Sequence, residues 1–267
     1  MVLFWAIIIV LTIILIRYNK IKESFLSDRI LKELITIDCV VARYNESVKW
    51  IFMPEFSNVT RFIIYNKGNP LNIKLPSNAI EIPLENVGKC DHTFLHHIVY
   101  NYNFLADVTL FVSGRANDPR KGPKIIKTMK LVDKTHTSVF IGNRCKIPDD
   151  EYNFTLSNYL SSNLENQVGK GKIEQITPAK IRPFGDWFNF HWPDKKNNII
   201  VYQSTFAVHR KHINQHPKGY YIKLYEELNY DINPEAGHFL ERSWAMIFHP
   251  YPPSCKYFHS FSCKFFP

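Results

Sequence analysis

Residues 1–16 read MVLFWAIIIVLTIILI, a run whose only polar side chain is Thr12. As a helix it would span roughly 24 Å at about 1.5 Å per residue, against a hydrocarbon core of about 30 Å. Arg17, Tyr18, Lys20 and Lys22 follow, and their long stems can reach the interface. The pattern predicts a transmembrane signal anchor over residues 1–17, with the membrane as partner through residues 1–16, and a charged stem over 18–36. A single domain is then predicted over 37–250, with a tail over 251–267.

Within that domain the apolar positions change period. Residues 37–42 (IDCVVA) form a short run rich in β-branched side chains, which predicts a buried strand ending in Arg43-Tyr44-Asn45-Glu46. Residues 60–65 predict a second strand, ending in Asn66-Lys67-Gly68, and residues 107–112 a third. Between them, Leu95, Ile98, Val99 and Tyr102 fall on one helical face, with Asp91 as a candidate N-cap. Residues 149–177 are polar and predict a long irregular insertion; residues 218–228 are the best helix of the last third. Strand and helix alternating predict an α/β fold with a mostly parallel sheet flanked by helices. Ligands gather beyond the carboxyl ends of such strands, where the loops 43–46, 66–68 and 113–118 would lie.

Charge narrows the partners. Lys and Arg outnumber Asp and Glu by 33 to 24, giving +9 and a pI near 9.2, which suits anionic ligands or surfaces. Residues 115–134 hold seven basic and two acidic side chains. They read either as a docking site for a diphosphate or acidic headgroup, or as a solvated helix face. No aromatics interleave these lysines, so nucleic acid is not an expected partner. The flank after the apolar run favours a cytosolic domain, whereas sequons at Asn45, Asn58 and Asn153 favour a lumenal one; the side is left open. None of the five cysteines forms a CxxC pair. Cys255 and Cys263 either close a small loop or remain thiols.

Signatures of P-loop hydrolases, dinucleotide enzymes, zincins and serine esterases are absent from the sequence. His92 and His96, four apart, would either share a metal or pack. Asp186 and Trp187 would either contact a sugar or form a packed corner. The densest polar cluster in an apolar context spans residues 233–248, where Glu235, His238 and Glu241 offer acid–base chemistry. The bland alternative is a Glu–Arg pair that orders the helix. Six residues separate the two glutamates, about 120° apart on a helix, so they are not a close pair. Pro234 marks Glu235 as the exposed base and Leu240 and Trp244 mark Glu241 as the structural partner.

Several motifs together resemble domain-of-unknown-function family 3431: Val40-Val-Ala-Arg-Tyr-Asn-Glu46, Pro83-Leu-Glu-Asn-Val-Gly88, His92-Thr-Phe-Leu-His-His97, Pro183-Phe-Gly-Asp-Trp187, Phe206-Ala-Val-His-Arg210 and Pro234-Glu-Ala-Gly-His-Phe-Leu-Glu-Arg-Ser-Trp244. The first motif is also similar, more distantly, to the first strand of family-2-like GT-A glycosyltransferases. That resemblance implies a GT-A-like, Rossmann-like fold and transfer of a sugar from a nucleotide-sugar donor to a glycan or glycoconjugate. Arg43, Tyr44, Asn45 and Glu46 would line the nucleotide, Arg115 and Asp118 the diphosphate, and Asp186, Trp187, His209 and Arg210 the remaining substrate. Where that pattern has Asp-x-Asp, this chain has Ser113-Gly-Arg-Ala-Asn-Asp118. Asp118 is therefore the one candidate ligand for manganese or magnesium, and Arg115 with its neighbouring lysines would neutralise the diphosphate without a metal. Asn58 and Asn153 are the candidate glycan sites, since a glycan on Asn45 would crowd the nucleotide. The alternative is a non-catalytic single-pass membrane glycoprotein or carbohydrate-binding module that keeps the fold.

Overall fold

The computed structural model describes residues 13–20, 22, 35–142, 149–156, 177–195, 200–250 and 256–259. The chain divides into two units, Met1–Thr36 and Ile37–Pro267. In the first, residues 13–20 are helical (α1) and exposed. Among the described residues no helix is long and apolar enough to cross a membrane. Most of the predicted anchor and stem, residues 1–12 and 23–34, lies outside the described residues, as do Cys145, Cys255 and Cys263.

The second unit is α/β. Its elements run β1 (Ile37–Arg43), β2 (Arg61–Asn66), β3 (Ala79–Pro83), α2 (Lys89–Asn101), β4 (Val108–Ser113), α3 (Gly122–Thr135), β5 (Val139–Gly142), α4 (Phe184–His191), β6 (Phe206–His209), α5 (Arg210–Ile213), α6 (Lys218–Glu226), α7 (Glu235–Ile247) and β7 (Lys256–His259). Short 3-10 turns cover Lys49–Phe52, Pro54–Phe56 and Asp149–Asn153. The sheet order is β3-β2-β1-β4-β6-β5-β7. Strand β6 runs antiparallel to both β4 and β5, and the other pairs are parallel.

All seven residues of β1 are buried, because helices cover both faces of the sheet, as a parallel strand requires. Val40, Ala42, Ile63, Tyr65 and Phe111 face a core shared with Phe94 of α2 and Phe239, Trp244 and Phe248 of the α7 region. The alternate positions Cys39, Val41, Ile64, Leu110 and Val112 are buried on the other face. Asp38, also buried, meets its register partner Arg61 through two hydrogen bonds of 2.6 and 3.1 Å. From β1 the chain winds outward through β2 and β3, then returns to β4 on the other flank of β1. That reversal opens a crevice beyond the carboxyl ends of β1 and β4.

Two departures from the sequence expectation concern elements. Residues 149–153 form a turn, while 157–176 of the predicted insertion lie outside the described residues. The helix predicted from Asp91 begins earlier, at Lys89, with Gly88 as N-cap. Asp91 sits buried in its first turn.

Candidate functional site

A cavity of about 550 Å³ occupies the crevice, lined by the loop after β1, Lys67 beyond β2, the first turn of α2, the loop after β4, and α7. Arg43 ends β1 with its guanidinium buried. Its Nε donates to Glu46 O (2.9 Å), and Nη1 donates to Asn66 Oδ1 (2.5 Å), Asn69 O (2.6 Å) and Tyr44 O (3.2 Å). These bonds tie the loop after β1 to the loop after β2. Gly68 is required there, because a Cβ would stand 2.0 Å from the Tyr44 carbonyl oxygen. Asn45 Oδ1 accepts from the Asn69 N–H (2.9 Å), and Tyr44 is half exposed at the cavity wall. Glu46 accepts the Tyr44 N–H (2.8 Å) and pairs with Arg115 at 3.4 Å.

The start of α2 carries the second wall. Gly88 takes φ +60°, and a Cβ there would lie 2.5 Å from His92 Cβ. Lys67 braces this turn, its Nζ donating to Val87 O and Lys89 O (2.6 Å) and meeting His92 Nδ1 at 3.3 Å. Burial pulls its pKa down to about 8. Asp91 accepts a 2.7 Å bond from the Trp244 indole. Lys121, at the start of α3, reaches Ser113 Oγ at 3.4 Å.

Helix α7 supplies the third wall with His238 and Glu241. Glu241 Oε1 accepts the Gln203 N–H at 2.8 Å. His238 Nε2 meets Asn233 Oδ1 at 3.2 Å, and burial lowers its pKa to about 4, so the imidazole is neutral at pH 7.

The cavity thus brings together Arg43, Tyr44, Glu46, Arg115, His238 and Glu241 from the sequence expectation, with Asn45 in the same loop. The two glutamates of α7 exchange places. Glu235 is not exposed at the helix start but 0 % accessible. Its carboxylate accepts from the N–H groups of Leu156 (2.7 Å) and Ala179 (2.9 Å) and from Arg182 Nη2 (2.9 Å). Glu241 is the carboxylate that lines the cavity.

The remaining candidates lie elsewhere. Trp187 is a core side chain, 1 % exposed, its indole donating to Glu227 at 2.6 Å; Asp186 beside it is exposed. His209 accepts the Lys211 N–H and Arg210 pairs with Asp107 at 2.9 Å. Because β6 is antiparallel, His209 stands opposite Val108, at the start of β4 and away from the cavity edge. Asp118 lies outside the cavity, its carboxylate taken by the Arg120 N–H (2.8 Å) and guanidinium (3.1 Å), which hold its pKa down at about 2. Among the described residues no group of three or more His, Cys, Asp or Glu is placed to hold a metal ion. The Asp118 carboxylate is engaged by Arg120 rather than turned into the cavity. His92 stacks on Tyr225 and bonds Asn229 (3.0 Å), and His96 meets the Tyr225 hydroxyl (3.2 Å); both pack α2 against α6. Asn58 is exposed with Nδ2 donating to Asp133 at 2.5 Å, and Asn153 is exposed.

Sequence reasoning missed Cys90 and Asp91 as lining residues, and reached Lys67 and Lys121 only as members of the loop 66–68 and of the basic segment 115–134. The signal for Asp91 was there: an acidic residue three positions after Gly88, where a loop feeds a helix at the sheet's ligand edge. No curated protein matches the chain. The family model described as Protein of unknown function (DUF3431) matches residues 39–264, strand β1 through β7, and the chain belongs to that family.

Proposed function

We propose that the cavity binds a nucleoside diphosphate sugar and transfers the sugar to a hydroxyl of a glycan or glycoconjugate. The observation that carries this reading is Glu241, a carboxylate fixed by a backbone N–H on the wall of a cavity whose other walls carry Lys67, Arg115 and Lys121. Basic groups of this kind attract a diphosphate, and a positioned carboxylate is what an acceptor hydroxyl needs to lose its proton. The acceptor oxygen attacks the sugar C1, the C1–O bond to the diphosphate breaks, and the hydroxyl proton passes to Glu241. A mostly parallel sheet whose first strand ends beside the cavity supports the GT-A-like reading of the fold. The apolar run over residues 1–16 supports a membrane anchor for the same protein.

The test is thermal denaturation with uridine and guanosine diphosphates, with and without manganese, followed by a transfer assay. Binding without metal is expected, and Glu241→Gln should lower turnover about a hundredfold or more while nucleotide binding is kept. No shift with either nucleotide would overturn the reading and leave the non-catalytic one.

A further inference from the structure

Asp91 lies in the cavity wall and makes no ion pair among the described residues. It is 5 % exposed, and the Trp244 indole N–H is the one side-chain donor to it among the described residues. The basic groups around it are turned elsewhere: Lys67 onto the carbonyls of Val87 and Lys89, Arg115 onto Glu46, and Lys121 onto Ser113. The same cavity holds two further carboxylates, Glu46 and Glu241, and the neutral His238. Lys89 and the Cys90 thiol share its helical turn, the thiol pushed up to about 11 by burial. An enclosed carboxyl beside a like charge resists ionisation. Burial first, and Glu241 second, hold Asp91 well above the usual carboxylate range; the Trp244 bond, its own backbone N–H and the charge of Lys67 offset only part of this.

We propose that Asp91 and Glu241 divide the acid and base roles of the cavity, Asp91 holding a proton that it donates to a phosphate oxygen of the bound nucleoside diphosphate. The phosphate contact rests on the transfer reading above. As the C1–O bond to the diphosphate breaks, the proton of Asp91 moves to the leaving phosphate oxygen. The acceptor oxygen bonds to C1 and its proton goes to Glu241. Asp91 is then ionised and Glu241 neutral, and proton return from Glu241 to Asp91 restores the pair.

Two measurements on the full chain test this. Infrared spectra at pH 6, about two units above an ordinary aspartic acid, should show a protonated carboxyl band that Asp91→Asn removes. In Glu241→Gln the band should disappear at lower pH, because the like charge is gone. Calorimetric titration with uridine and guanosine diphosphates should show wild-type affinity falling by up to about tenfold per pH unit once Asp91 ionises. Asp91→Asn, which keeps the shape and an N–H donor, should bind at neutral pH within a few-fold of wild type and lose that pH dependence. A band that survives in folded Asp91→Asn overturns the proposal; should that variant not fold, a band whose titration is unmoved by Glu241→Gln overturns it, because the proton then lies away from Glu241. An unchanged pH dependence of binding in Asp91→Asn overturns the phosphate contact. If the band belongs to Asp91 but neither nucleotide binds, the transfer reading fails and the proton's location stands.

Discussion

Replacing Glu235 should unfold the protein sooner and leave its ligand chemistry alone. The carboxylate holds three donors from two separate segments: Leu156 N–H, Ala179 N–H and Arg182. In Glu235→Ala both N–H groups are left buried, at about 1–3 kcal/mol each. Arg182, whose side chain is 36 % exposed, recovers water, so its loss adds little. The sum, about 2–6 kcal/mol, is a large part of a typical domain stability of roughly 5–15 kcal/mol. At about 2–4 °C per kcal/mol for a chain of this size, the Tm should fall by about 4–24 °C. Glu235→Gln keeps one acceptor oxygen but turns an NH2 group toward a donor, and should cost about half as much. The assay is urea unfolding followed by nucleotide titration on folded variant. Stability within about 1 kcal/mol of wild type for Glu235→Ala would refute the reasoning, since unsatisfied buried donors cannot be that cheap. So would a Glu235→Gln variant of unchanged stability that no longer binds nucleotide.

His97 gives a pH test. Burial lowers its pKa to about 3, so its contribution is complete above the unfolded value near 6.5 and is lost as pH falls, because the unfolded chain takes up the proton first. Between pH 7 and 5 this amounts to about 2 kcal/mol. Asp91, with a raised pKa, acts in the opposite sense, so the measurement is the difference between wild type and His97→Gln, which should shrink by that amount on acidification. A difference independent of pH would place a charged imidazole in the native state. Gly88→Ala should destabilise by about 2 kcal/mol or more, since φ is +60° and the new Cβ would sit 2.9 Å from Leu228 O; chemical denaturation reads this, and a neutral result would mean the turn rearranges freely. Deleting residues 1–22 should leave a soluble, folded domain, because the sheet begins at Ile37; aggregation of the truncated chain in a sedimentation assay would assign those residues to the fold.

Strands β1, β2 and β4 were legible in the sequence because burial on both faces leaves an unbroken apolar run. Strand β3, reading AIEIP at the sheet edge and only partly buried, carries no such signal. The loops 43–46, 66–68 and 113–118 were placed by rule, since parallel strands deliver their carboxyl ends to one edge, although residues 116–118 do not line the cavity. His209 and Arg210 were misplaced for the converse reason: four residues of β6 do not announce that the strand runs backwards. The exchange of Glu235 and Glu241 has a different cause. Helical phase separates two faces but does not say which one meets the core. Here the deciding partners, Leu156 and Ala179, are about 80 and 56 residues away in sequence.

The pairing of Asp38 with Arg61 has a consequence for how the sheet assembles. Strands buried on both faces lack the alternation of polar and apolar positions that fixes alignment in half-exposed sheets. A parallel slip of β2 along β1 by two residues would still bring apolar side chains against apolar ones. It would also carry Arg61 about 6–7 Å along the strand and leave the Asp38 carboxylate, 3 % exposed, buried without its cation. One charged fork at the strand entrance thus acts as an alignment pin, making the shifted pairings electrostatically unaffordable where hydrophobicity alone would tolerate them.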